Sequence, residues 1–181
     1  MKAIYTKTID IKDYKPIYEM GDKWYVCFNC NEIMREADPV LKNGKFEKSN
    51  KKVSTGQCSF SMICYDAKPT VNDIQNDIEE IINDKVSKRI IDNFYWKGAK
   101  INLSRENQMN YKASYDLALQ SGSKNLPIRI KATKNGKSEY FVFFTLAEFE
   151  EFYVAVNRHI NNCLEQGWQK KDSIDYSIYQ A

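Results

Sequence analysis

The residue types best able to do chemistry in this chain are its thiols. Cys27 and Cys30 stand three apart in "WYVCFNCNEIM", and Cys58 and Cys64 follow in "QCSFSMICYD". Four such thiolates could form a tetrahedral zinc site of the kind that stabilises small β-rich modules, and a CxxC pair alone could do redox work. Spacing and alternation weigh against both. The second pair is separated by five residues rather than two and has no following glycine. If "QCSFSMIC" is a strand, Cys58, Phe60, Met62 and Cys64 share one face, as core-facing thiols would. Trp24, Val26, Phe28 and Cys30 then share a face of their own strand, with Cys27 pointing the other way unless a turn begins there. No thioredoxin-like βαβ pattern surrounds the pair. The expectation is therefore buried thiols and no cofactor, with structural zinc on Cys27, Cys30, Cys58 and Cys64 as the sharper alternative.

The single histidine, His159, falls at the edge of a helical apolar stripe, where a packed or half-exposed imidazole is the ordinary state. General base catalysis would need a partner that the sequence does not place. The acidic residues Glu79, Glu80, Glu148, Glu150 and Glu151 lie where a helix uses them for capping, solubility and its macrodipole. No phosphate-binding glycine loop, nucleophile elbow or paired-histidine motif is present. A non-enzymatic protein is expected.

The elements that must carry these residues are legible from periodicity. At 181 residues the chain has room for one substantial domain or two small ones. Residues 1 to 66 have strand-like composition, with a hairpin signal at Gly21-Asp22 and a polar loop holding Asn43-Gly44 and the lysine cluster Lys42 to Lys52. From Pro69 the texture becomes helical, with Val71, Ile74, Ile78, Ile81 and Ile82 at helix spacing and a capping box formed by Thr70 and Asp73. A tight hairpin at Lys97-Gly98 follows. Next comes a helix opened by Ser104 and closed by Gly122, then a hairpin at Asn135-Gly136 and a long helix capped by Thr145 and Glu148. Phe149, Phe152, Tyr153, Val156, Ile160, Cys163 and Leu164 form its apolar stripe. The fold class is α+β: a β-rich module over 1–68, then a domain over 69–181 of order helix, hairpin, helix, hairpin, helix, ending in an arm.

No apolar run approaches the length needed to span a bilayer, and charges interrupt the first residues, so a cytosolic site of synthesis without membrane contact is expected. In such a compartment the five cysteines stay reduced. Twenty-seven basic and 24 acidic side chains are interspersed, too even a balance to predict specific nucleic-acid binding. Twelve Tyr, nine Phe and three Trp instead favour an assembly component, because aromatics are enriched at protein interfaces. Alternation sends Phe94, Trp96, Ile101 and Leu103 to one side and leaves Tyr95 for the other. Likewise Tyr140, Val142 and Phe144 part from Phe141 and Phe143. The interface expected from this pattern is Tyr25, Tyr95, Phe141 and Phe143, with Tyr176, Ile178 and Tyr179 forming a strand or arm added to another subunit's sheet.

Three features of the C-terminal half carry a resemblance. They are the "F-x-W-x-G" hairpin, the helix start "L-S-x-E-x-Q-x-N-Y", and the threonine-capped final helix with its basic, polar tail. Together, from about Asp84 to Tyr176, they resemble an uncharacterised domain family of tailed bacteriophages and prophages, common in those of Bacteroides-type hosts. The resemblance implies a virion protein of the tail, a ring, adaptor or fibre-docking part as in crAss-like phages. It would be made in the host cytoplasm and would contact copies of itself and other tail proteins. An intracellular fibre-assembly chaperone is the alternative role, and a zinc-ribbon nucleic-acid-binding regulator is the alternative class.

Overall fold

The computed structural model describes residues 4–42 and 45–180. The architecture is α+β, and the chain divides into two compact units, Met1–Asp77 with Asp175–Ala181, and Ile78–Ile174. Among the described residues no helix is long and apolar enough to cross a membrane.

The first unit is built on an antiparallel sheet of order β1-β6-β3-β2, from β1 (Ile4–Asp10), β2 (Ile17–Met20), β3 (Lys23–Glu36) and β6 (Lys52–Tyr65). Gly21 turns β2 into β3 at a φ of 69°, which glycine adopts without steric penalty. The segment expected to be a polar loop is partly paired instead. β4 (Val40–Lys42) and β5 (Lys45–Glu47) form a small ribbon, while Asn43-Gly44 between them lies outside the described residues. The C-terminal segment also differs from the strand-like arm expected. Tyr176–Tyr179 forms a 3-10 turn, and Tyr179, only 4% exposed, donates its hydroxyl to the carbonyl of Cys27 at 2.9 Å.

α1 (Val71–Asp92) opens with the expected capping box: Asp73 accepts from the Thr70 backbone N–H, and Thr70 Oγ1 accepts from the Asp73 backbone N–H. In the second unit, β7 (Phe94–Trp96), β8 (Ala99–Ile101), β9 (Ile128–Lys134) and β10 (Lys137–Phe143) form a sheet of order β10-β9-β8-β7. α2 (Arg105–Ser121) is capped by Ser104 and ends at Gly122 in the left-handed conformation. α3 (Leu146–Asp172) begins with the reciprocal Thr145–Glu148 box. These caps satisfy amides that each first turn leaves free, so the sequence marks its own helix starts. One face of the sheet is covered: Phe94, Trp96, Ile101, Ile130 and Phe143 pack with Tyr111 of α2 and with Phe149, Phe152 and Val156 of α3.

α1 and α3 approach closely at Gly167, where an added Cβ would stand 2.6 Å from Cγ2 of Val86. Alanine there would gain about 1 kcal/mol of helix propensity but overpack a branched neighbour, typically a cost of about 1–3 kcal/mol. Gly167→Ala should therefore destabilise the chain in a urea titration, and adding Val86→Ala should recover much of the loss. Stabilisation by the single change would contradict this packing.

Candidate functional site

A β-bulge gathers the thiols. Phe28 pairs with Ser61 and Asn31 with Ser59, so β3 spends three steps where β6 spends two, with Asn29 at a φ of 53°. The extra residue flips the alternation, placing Cys30 on the face that already carries Cys27 and Cys58, contrary to the uninterrupted strand pattern. Cys27 and Cys58 are buried there with Phe60 and Met62, and Tyr14 and Tyr18 pack against them. Cys27's carbonyl accepts from both Tyr14 and Tyr179. Cys64 lies opposite Tyr25, six residues along β6 from Cys58, which is about 20 Å of extended strand. Zinc thiolates must sit within a few ångströms of one another, so the four cysteines do not converge on one ion. Among the described residues no group of three or more His, Cys, Asp or Glu is placed to hold a metal.

Cys27 and Cys30 are not activated. Burial pushes Cys27 up to about 12, with Lys7 pulling weakly the other way. Cys30 rises to about 11, first by desolvation and then through its contact with Cys58. The nucleophile is the thiolate, so Cys30, the exposed member of the three, should alkylate slowly at pH 7. Its iodoacetamide rate should climb about tenfold per pH unit through pH 9. A fast, pH-independent reaction would contradict this environment.

His159 sits half-buried on α3, its Nε2 3.3 Å from the Arg89 carbonyl and its ring 5.3 Å from that of Phe94. It is a packed imidazole, as its place on the stripe indicates.

The aromatic alternation of β10 is as read from the sequence, but the side is reversed. Phe141 and Phe143 turn toward the helices, with Phe143 buried and Phe141 packed against the core. Tyr140 and Phe144 are the exposed rings, at 55% and 68%. Alternation fixes which residues share a face; which face the helices cover depends on the connection into α3, and nothing in the strand itself records it. Tyr95, at 62% exposure, stands on the uncovered face as expected. Tyr25 is half-buried, stacked on Tyr18 at 5.3 Å. Ile178 is exposed and Tyr179 is not.

The register shows what shares the uncovered face with Tyr95. Tyr95 lies opposite Lys100, Lys100 opposite Thr133, and Thr133 opposite Ser138. The next rows pair Lys131 with Tyr140 and Arg129 with Val142. On the helical side, α2 and α3 frame a shallow groove in which Tyr115 and Tyr153 stack at 4.9 Å. Two adjoining cavities of about 520 and 210 Å³ share Tyr153 and Asn157, and the exposed Val154 and Met109 lie along them. Composition gave aromatic abundance but no signal for this helical groove, because its lining mixes stripe residues such as Tyr153 and Ile160 with residues off the stripe such as Val154 and Asn157, and with Met109 of the other helix.

Residues 73–181 match the family described as domain of unknown function DUF4376. No curated protein and no solved structure matches the chain.

Proposed function

We propose that this chain, which belongs to the DUF4376 family through residues 73–181, is a non-enzymatic structural protein of a tailed bacteriophage. Its role is that of a tail ring, adaptor or fibre-docking component, held in a multi-copy assembly by contacts with copies of itself and with other tail proteins. The phage setting rests on the likeness of the "F-x-W-x-G" hairpin, the "L-S-x-E-x-Q-x-N-Y" helix start and the capped last helix to a phage domain family. The observation that carries the docking role is the α2–α3 groove, where Met109 is 63% and Val154 46% exposed beside the stacked Tyr115 and Tyr153. Apolar and aromatic side chains concentrated in a grooved helical surface are the ordinary signature of a protein contact. The asparagines Asn157, Asn161 and Asn162 supply polar contacts around it.

Light scattering coupled to size exclusion tests the self-contact. The reading expects a concentration-dependent multimer that Met109→Glu with Val154→Glu converts to monomer, since burying an unpaired charge is costly. A chain that remains monomeric at every concentration, alone and with the neighbouring tail proteins, would overturn it.

A further inference from the structure

The strands of the second unit's sheet carry an uneven share of the charge. The strands β7 to β10 with their two hairpin turns hold six basic side chains and one acidic; α1, α2 and α3 hold eight basic and thirteen acidic. The even balance of charge over these seven elements and the hairpin turns is thus the sum of a basic sheet and acidic helices. The lone acid of the strands, Glu139, pairs with Ala132 and so shares the covered side. The uncovered side presents Lys100, Arg129 and Lys131 with Tyr95 and Tyr140, and Phe144 continues the same alternation one residue past β10. Asp92 pairs with Lys100 at 3.3 Å, and both groups are partly solvated.

We infer that the open face of this sheet is a docking surface for single-stranded nucleic acid, with Tyr95 and Tyr140 as stacking platforms and Lys100, Arg129 and Lys131 as phosphate partners. Lys131 stands directly opposite Tyr140, so a base on that ring has a cation within reach of its own phosphate. Tyr95 lies three strands and one residue pair away, about 16 Å, so the two rings hold bases separated by spacer nucleotides. A four-stranded sheet with exposed rings can stack unpaired bases without reading their edges, and cations between the rings track the backbone. Duplex DNA keeps its bases stacked inside and can use only the cations. An acidic peptide likewise matches the charges and leaves the rings unused. The helical groove assigned above to protein contacts is a different surface, so this inference does not depend on that reading.

Fluorescence anisotropy with a labelled dT20 strand, the same length of duplex, and a polyglutamate peptide decides it. The strand should bind most tightly, with log affinity falling against log salt at a slope of about 2 for three phosphate contacts. Tyr95→Ala and Tyr140→Ala should each weaken it by about tenfold, Tyr140→Phe should retain it, and Lys131→Glu should weaken it further. All three positions are solvent-facing, and unchanged melting curves show that the fold is intact. Equal binding of strand, duplex and polyglutamate, indifference to both tyrosine changes, or no strand binding at low salt would each overturn the inference. Loss of self-association in Tyr95→Ala and Tyr140→Ala, with no strand bound by the unmodified chain at low salt, would assign the face to assembly instead and overturn it as well.

Discussion

Phe152→Ala should lower the stability of the second unit by about 3–5 kcal/mol, the usual cost of emptying a fully buried aromatic site. Phe152 has no exposed surface, and its ring meets those of Phe94, Trp96, Tyr111, Phe143 and Phe149 at centroid distances of 5.3 to 6.0 Å. Those partners come from β7, α2, β10 and α3, so one truncation loosens the sheet and both helices together. Edge-to-face geometry with Trp96, at 84° between planes, adds a contribution beyond area of about 0.5–1.5 kcal/mol. The cavity cannot close by local relaxation, because rigid rings surround it on several sides. Urea titration followed by tryptophan emission checks this. A loss below about 1 kcal/mol would contradict a core centred on Phe152.

The second large effect concerns the C-terminal turn. Tyr179→Ala should cost about 3–5 kcal/mol in the first unit, while Tyr179→Phe should cost about 1 kcal/mol. The difference separates the buried ring from its hydroxyl. The smaller figure follows because the Cys27 carbonyl keeps the hydrogen bond from Tyr14, 3.0 Å away, when Tyr179 no longer donates. The same cluster predicts an alkaline limit. Burial raises Tyr14, Tyr65 and Tyr179 well above their ordinary value of 10.0, with the Asp77 carboxylate reinforcing the effect at Tyr65. A folded state that holds these phenols neutral is favoured fully below pH 10. That advantage fades as pH rises above 10 toward the raised folded values, where ionisation first favours the unfolded chain. Circular dichroism from pH 8 upward should show cooperative loss of structure beginning above pH 10, later in Tyr179→Phe than a simple loss of stability would give. Indifference of both measurements to Tyr179 would show that the segment 175–181 is not part of this core.

The helix starts and ends and the second unit's hairpins were legible in the sequence because their signals are local. Thr70 with Asp73, Ser104, Gly122, and Thr145 with Glu148 each satisfy or release backbone groups within one turn, and Asn135-Gly136 carries its hairpin in two residues. What was hidden depends on distant partners. The bulge at Asn29 is defined against β6, so the convergence of Cys30 with Cys58 cannot be read from β3. The outward side of β10 is decided by where α3 packs, and the alternation that groups Phe141 with Phe143 is symmetric with respect to it. Tyr179 finds Cys27 across most of the chain. Charge behaves similarly: a balanced total conceals basic strands and acidic helices, because only the fold sorts side chains by surface.

The proposed role as a tail component is tested most directly by quantitative mass spectrometry of purified virions from an infected culture. The account predicts this chain among the particle proteins, in several copies per tail and co-sedimenting with tails detached from heads. Its presence in the infected cell together with its absence from the particle would contradict a structural place in the virion.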